Sequence, residues 1–320
     1  MNKNEAPFKH KALQNMRVAI VLPVYNAEAS LPECLESLLS QTHKNFDIYA
    51  IDDSSTDNSI EILTNYQRKD NRLKISRHKH NKGVSEARNT ALKLIEASSL
   101  YDYISFCDSD DTISSKMISE LLLAAIKNHA DVATCCFKQI PKDLGKNKFE
   151  HYCSFNPETF VEQVFSLGRW KNIYGSGGYV WLRLFDAKKI KGLRFKDDKI
   201  FSEDEYFCIE VATRVHKITY IPQQLYFYQN RDHSLSQNRE YSRKLLLTRI
   251  ATLSLSEKIS PYALIINACA ILRKGRNNND LFTKQLLNTI TPLLFRGCSL
   301  QLIPKKKLLT FLIRTVKKRF

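Results

Sequence analysis

Glycine and proline are scarce, at nine each in 320 residues. That scarcity excludes collagen-like and low-complexity chains. With hydrophobic residues at 43%, it leaves an ordered globular protein able to bury a large core. The eight cysteines (Cys34, Cys107, Cys135, Cys136, Cys153, Cys208, Cys269 and Cys298) include no Cys-x-x-Cys pair, which argues against structural zinc. Several lie in apolar stretches, where a free thiol behaves as a small hydrophobe. Glycine-rich phosphate loops are missing, since neither GxGxxG nor a GxxxxGK loop occurs. Any phosphate bound here must therefore be held by a metal and basic side chains. Residues 259–272 are uncharged, but fourteen residues fall short of the ~20 needed to cross a bilayer. Residues 1–16 are polar and hold no apolar signal core, so a reducing cytoplasm is the expected compartment.

Charge is unevenly shared. Of the net +16, residues 241–320 contribute +14, which leaves +2 for the first 240. An anionic partner, membrane or nucleic acid, is expected for the C-terminal part. There Lys305, Lys306 and Lys307 precede Leu308, Leu309, Phe311, Leu312, Ile313 and Val316, with further basic residues between them. On a helix most of these apolar residues share one side, which suits either an anionic leaflet or packing on the domain. No aromatic-interleaved basic motif favours nucleic acid.

Residues 17–23 form an almost unbroken apolar run, which suits a buried parallel strand. Ser30 and Pro32 signal a helix start, and Leu31, Cys34, Leu35, Leu38 and Leu39 follow at helical spacing. Further strands are expected at 46–51, 73–76, 103–107 and 132–137, with helices at 60–66, 84–97 and 115–128. This alternation with short connections predicts a parallel α/β sheet with covered faces. Residues 138–157 read as a polar excursion between two halves, 175–185 as a loop followed by a strand, and Tyr206 as a helix start. In such sheets ligands bind beyond the carboxyl ends of strands, and two strands end in acid: Asp52-Asp53 and Asp108-x-Asp110-Asp111.

Carboxylates crowded at a strand end repel one another unless a cation shares the site. Asp108 and Asp110 have the spacing to face one ion, and hard oxygen ligands suit Mg²⁺ or Mn²⁺ bridging to phosphate. The same residue types also make helix caps, so the residues alone leave both readings open. An EF-hand starting at Asp53 fails, because Asn58 replaces the sharp-turn glycine and Thr64 the bidentate glutamate. Arg88 is a candidate for phosphate charge or a solvated helix-surface arginine. Glu203-Asp204-Glu205 is either a reactive cluster or a helix N-terminus favouring anions.

Taken in order, several blocks resemble glycosyltransferase family 2. They are Val21-Leu22-Pro23-Val24-Tyr25-Asn26, Ser40-Gln41-Thr42, Ile51-Asp52-Asp53-Ser54-Ser55-Thr56-Asp57 and Asn81-Lys82-Gly83-Val84-Ser85-Glu86-Ala87-Arg88-Asn89. Farther on come Phe106-Cys107-Asp108-Ser109-Asp110-Asp111, Val180-Trp181-Leu182-Arg183-Leu184-Phe185 and Ser202-Glu203-Asp204-Glu205-Tyr206-Phe207. The resemblance implies a GT-A, Rossmann-like mixed α/β sheet flanked by helices, with a C-terminal helical extension. It implies a catalytic domain over 17–240, divided into a nucleotide-sugar half (17–137) and an acceptor half (138–240), ahead of the basic region 241–320. Arg183 stands where lysine is common in related sequences, and Ser202 where glycine is common.

Residue by residue, the resemblance puts Pro23, Tyr25 and Asn26 at the nucleotide, with Tyr25 stacked on the base. Asp52 or Asp53 would accept hydrogen bonds from base or ribose, and Arg88 would neutralise the diphosphate. Asp108 would approach ribose or metal, and Asp110 would be the main ligand of Mn²⁺ or Mg²⁺. Asp204 would be the general base, supported by Glu203. Trp181 would stack on a sugar or pack in the core. Tyr228, Arg231, Ser234 and Ser236 resemble a mobile segment near the diphosphate.

The expected activity is inverting transfer of a hexose, from a UDP-sugar for preference, to a saccharide acceptor, possibly lipid-linked. A bacterial lipopolysaccharide, lipooligosaccharide or capsule pathway at the cytoplasmic face of the inner membrane would suit the basic tail, with no nucleic acid involved. Two rivals stand beside it. Asp108-x-Asp110-x-Thr112 matches the DxDxT pattern of haloacid-dehalogenase-type phosphatases, although three strands precede it here. A non-enzymatic basic protein binding membrane or RNA is the other.

Overall fold

The computed structural model describes residues 13–140, 151–166, 177–198, 202–229, 245, 247–249, 251–260, 263 and 267. Strands β1 (Val18–Val24) and β2 (Phe46–Asp52) are buried along their whole length and pair in parallel from Val18 opposite Phe46 to Val24 opposite Asp52. Strand β3 (Leu73–Arg77) adds in parallel outside β2, and β4 (Tyr103–Phe106) in parallel on the other side of β1.

Period-two alternation divides the apolar runs between two cores. Ala19, Val21 and Ile51 meet Ala87, Ala91, Leu92 and Ile95 of α3 (Val84–Ser98). On the opposite face Val18, Ile20, Leu22, Ile48 and Ala50 meet Leu31, Cys34, Leu35 and Leu38 of α1 (Leu31–Leu39), with Leu63 of α2 (Ser59–Lys69). Both faces are covered, so these strands need no polar alternation.

Beyond β4 the sheet is mixed, as the resemblance implies, where the strand–helix alternation alone pointed to parallel pairing. The short strand β5 (Thr112–Ile113), helix α4 (Met117–Asn128) and strand β6 (Val132–Ile140) follow in the chain. Strand β7 (Cys153–Phe155), helix α5 (Pro157–Val164) and strand β8 (Arg183–Asp186) come next. The one-turn helix α6 (Ala187–Ile190), helix α7 (Glu203–Ala212) and strand β9 (Ile218–Gln229) complete this half. Strand β8 inserts antiparallel between β4 and β6, β6 runs parallel to β9, and β5 and β7 pair antiparallel with β9. The order β3-β2-β1-β4-β8-β6-β9-β5 makes a mixed sheet. With only four residues, β8 is too short to announce its direction in a hydrophobic pattern.

Local details depart from the sequence reading in instructive ways. Ser30 precedes α1 as expected and Pro32 lies in its first turn, but the hydroxyl of Ser30 caps nothing. It donates instead to the carbonyls of Ala27 (3.3 Å) and Ser109 (3.1 Å), tying α1 to the acidic turn after β4. Helix α3 follows Gly83, whose φ of +91° disfavours any side chain. Helix α7 begins at Glu203, ahead of Tyr206, so all three of its carboxylates fall in the first turn.

Helix α8 (Leu253–Ile259) packs Leu255 and Ile259, with Ala263 beyond it, against the α3–α7 core. Among the described residues, no helix is long and apolar enough to cross a membrane. The basic stretch at 305–319, and Arg231, Ser234 and Ser236, lie outside the described residues.

Candidate active site

The carboxyl ends of β1, β2 and β4 open on one edge of the sheet, and α3 and α7 bring their first turns to it. The centre is Arg88 of α3, 2% exposed. Its Nη1 donates to Asp204 Oδ1 (2.7 Å) and Glu203 Oε1 (3.0 Å), and its Nη2 to Asp108 Oδ1 (2.9 Å). The guanidinium lies 5.2 Å from the Phe195 ring centroid, and its Nε has no hydrogen-bond partner. Arg88 thus joins the acidic turn of β4 to the start of α7. Both Nη atoms are engaged by the protein's own carboxylates. Burial works against its charge, but Asp204, Asp108 and Glu203 raise its pKa above the usual arginine value.

One guanidinium against three carboxylates leaves an excess of negative charge. The carboxyl of Asp204 is pushed up to about 7, chiefly by burial; Arg88 opposes that rise while Glu203 and Asp108 add to it. Its Oδ2 accepts from the backbone N–H of Val180 (3.3 Å). A carboxyl poised near neutrality has the proton affinity a general base requires.

The three aspartates after β4 are not equivalent. Asp111 is buried, accepting from the Tyr226 hydroxyl (2.6 Å) and the Gln229 N–H (2.8 Å), and burial pushes it up to about 8. Asp108 and Asp110 stay half-buried. The turn beneath them is firmly held: Asp108 N–H donates to Tyr226 Oη (3.2 Å), and the thiols of Cys34 (3.6 Å) and Cys107 (3.5 Å) donate to the Asp108 carbonyl. Among the described residues no group of three or more metal-ligating side chains forms a ready cage. Asp108, which also accepts from Arg88, and Asp110 offer the hard oxygen donors that Mg²⁺ or Mn²⁺ takes beside water and substrate phosphate.

At the end of β1, Pro23 is buried in the sheet while Tyr25 is 50% exposed, with a ring face open to stacking. Asn26, at φ +46°, accepts through Oδ1 from Thr56 N–H (2.8 Å), which folds the loop that presents Tyr25. Asp53 turns inward: Oδ1 accepts from His78 Nδ1 (2.6 Å) and Lys82 N–H (2.9 Å), and Oδ2 from Gly83 N–H (2.8 Å). It clamps the segment that starts α3. Asp52 accepts through Oδ1 from Ser55 N–H (3.3 Å). Its Oδ2 forms an ion pair with Arg77 Nε at 2.8 Å that lacks hydrogen-bond alignment, so this oxygen keeps acceptor capacity.

Trp181 is 4% exposed and stacks between Tyr226 (4.2 Å) and Tyr179 (4.8 Å), with Tyr228 parallel at 5.9 Å. Its geometry is that of core packing, beside the half-buried Tyr179 and Tyr228. Arg77, Tyr226 and Arg183 were not assigned roles by sequence reasoning. Arg183 is fully buried and grips the carbonyls of Gly177 (2.6 Å) and Tyr179, fixing the segment whose Val180 N–H meets Asp204. A lone arginine between apolar neighbours on both sides was the available signal.

The family model described as Glycosyl transferase family 2 matches residues 19–190. The uncharacterized glycosyltransferase EpsJ of Bacillus subtilis is 31% identical over 230 residues, covering 69% of this chain and 63% of EpsJ. Glycosyltransferase GlyA of Streptococcus pneumoniae is 30% identical over 229 residues, covering 69% of this chain and 32% of GlyA. The chain therefore spans less than two thirds of either relative. Among solved structures, TarS 1–349 of S. aureus in complex with UDP-GlcNAc aligns with a TM-score of 0.62 at 17% identity, covering 89% of this chain and 88% of that one. The mannosyltransferase PcManGT from Pyrobaculum calidifontis, in complex with GDP-Man and Mn²⁺, aligns at 0.55 and 15%, covering 94% and 86%. At such identities these likenesses bear on the fold, which is of the GT-A kind.

Proposed function

The chain belongs to glycosyl transferase family 2, and from that premise we propose that it transfers a hexose, with inversion, from a UDP-sugar to a saccharide acceptor of a bacterial surface glycan. The observation that carries this reading is the Arg88 hub. One buried guanidinium links the pair fit for a cation, Asp108 and Asp110, to the carboxyl with raised proton affinity, Asp204.

In this reading Asp108 and Asp110 would hold Mn²⁺ or Mg²⁺, which would offset the charge growing on the leaving diphosphate. Tyr25 stacks on the uracil, and Asp52 accepts from its N3–H beside Arg77. Asp53 acts one step back by holding the 78–83 segment in place. Asp204 takes the proton of the acceptor hydroxyl as that oxygen attacks, with Glu203 beside it on the same Arg88 nitrogen. Attack from the face opposite the leaving group inverts the anomeric carbon. Nucleotide complexes of TarS and the Mn²⁺ complex of PcManGT support the choice of donor and cation. The basic 241–320 region supports a lipid-linked acceptor at the cytoplasmic face of the inner membrane. Neither the phosphatase nor the non-enzymatic alternative gains an observation in its favour.

UDP binding measured with and without Mn²⁺, followed by hydrolysis of UDP-hexoses, tests the assignment. Asp204→Asn is expected to lower turnover by about 10²–10⁴-fold while UDP still binds. Asp110→Ala is expected to abolish the Mn²⁺ dependence of UDP binding. Unchanged activity in both variants would sink the assignment.

A further inference from the structure

We propose that Arg249 and Thr248, which lie beyond the region matched to the family, are positioning residues that hold the first turn of α7 and so aim Asp204. The inference rests on the reading of Asp204 as the base. Three consecutive carboxylates open α7, and no side chain at Ser202 caps its N-terminus. On a helix, neighbours in sequence point about 100° apart. Glu203 and Asp204 accordingly reach Arg88, while Glu205 turns into the interior and is 4% exposed.

A buried carboxylate needs a cation. Arg249 supplies it, with Nε at 2.7 Å from Glu205 Oε1 and Nη2 at 3.4 Å from Oε2, and its guanidinium lies 5.0 Å from the Phe165 ring centroid. One residue earlier, Thr248 Oγ1 accepts from the Ser202 N–H (2.8 Å), occupying a donor just ahead of the helix. On the other flank the 177–180 segment presses on α7, where a Cβ at Gly178 would lie 2.6 Å from the Glu205 Cα. That contact places the Val180 N–H against Asp204 Oδ2. Asp204 is thus held in front by Arg88, on one side by Val180, and from behind through Glu205 and Ser202. The structure assigns the C-terminal segment a share of the active-site geometry without giving it contact with substrate.

Hydrolysis of UDP-glucose, UDP-galactose and UDP-N-acetylglucosamine by the full chain provides the test. Arg249→Met is expected to lower kcat by about 10²-fold, as misplacement of a reacting group by an ångström does. KM for the donor and the UDP dissociation constant should stay within two-fold, and Arg249→Lys should recover most of kcat. Because Arg249→Met leaves Glu205 buried without its cation, the paired change Glu205→Met with Arg249→Met is the second arm. It should restore the melting temperature but not kcat. Recovery of both together, or a kcat for Arg249→Met within two-fold of the unsubstituted protein, overturns the proposal. Activity persisting in Asp204→Asn overturns the base assignment and the proposal with it. Loss of activity there, with Arg249→Met unaffected, overturns the proposal alone.

Discussion

The first four strands of the sheet and the five that follow differ in how their surroundings are held. From β1 to β4 the strands are parallel, with β1 and β2 buried along their length, and their helices dock through aliphatic side chains such as Leu35, Ala91 and Ile95, to which the Asp53 clamp on the 78–83 segment adds a polar contact. From β5 to β9 directions are mixed, and buried polar side chains pin the loops: Arg183 on the Gly177 carbonyl, Tyr226 on Asp111, Arg249 on Glu205. Aliphatic packing is non-directional and degrades gradually, whereas a buried charge needs its partner at one distance and angle. Damage to the first half should therefore appear as lost stability, and damage to the second as lost function at a stability that depends on pairing.

The sharpest break in that contrast is at Arg88, where the two halves meet. Arg88→Leu leaves Asp108, Glu203 and Asp204 without their common cation. We expect a loss of about 3–5 kcal/mol in urea unfolding, together with loss of turnover. A variant as stable as the parent would remove Arg88 from its central place. Among the first four strands and their helices, Leu35→Ala should cost about 2–5 kcal/mol of stability. Its kcat at a temperature where it stays folded should match the parent, and a fall in kcat there would blur the distinction between halves.

Tyr25→Ala probes the large aromatic left exposed at the end of β1. Calorimetric titration should show UDP binding weakened by about 1–3 kcal/mol with unfolding unchanged. The last test is a slope, gradual where the others are single steps. Asp204, raised to about 7 mainly by burial, keeps a proton in the folded state that an unfolded aspartate has lost. Stability should then fall as pH rises from about 4 to 7, by up to about 1.4 kcal/mol per unit. Asp204→Asn should reduce that slope, leaving the part due to the buried Asp111, and hydrolysis by the parent should show an acid limb near the same pH.

The two halves were also unequally legible. Continuous apolar runs announced β1, β2 and β4, and Leu31, Cys34, Leu35 and Leu38 marked α1, because burial on a regular element leaves a periodic trace. The acidic strand ends could be found for the same reason, since they stop such runs. The inward turn of Asp53 toward His78 and Gly83 left no trace, because its partners are set by a loop rather than a period. Strand β8 was too short to reveal its antiparallel direction. The pairing of Glu205 with Arg249, 44 positions apart, joins two segments that the charge count had set in separate regions. Long-range partners of single polar side chains are what the sequence hides.

Arg88 also has a consequence for how the chain is made. Asp108 lies 20 positions after it, but Glu203 and Asp204 lie 115 and 116 positions after it. As the chain leaves the ribosome, β1 to β4 emerge first, and Arg88 then has only Asp108 of its three carboxylates. Until α7 arrives, that guanidinium must stay wet. The Arg88 cluster therefore cannot close until α7 has been made.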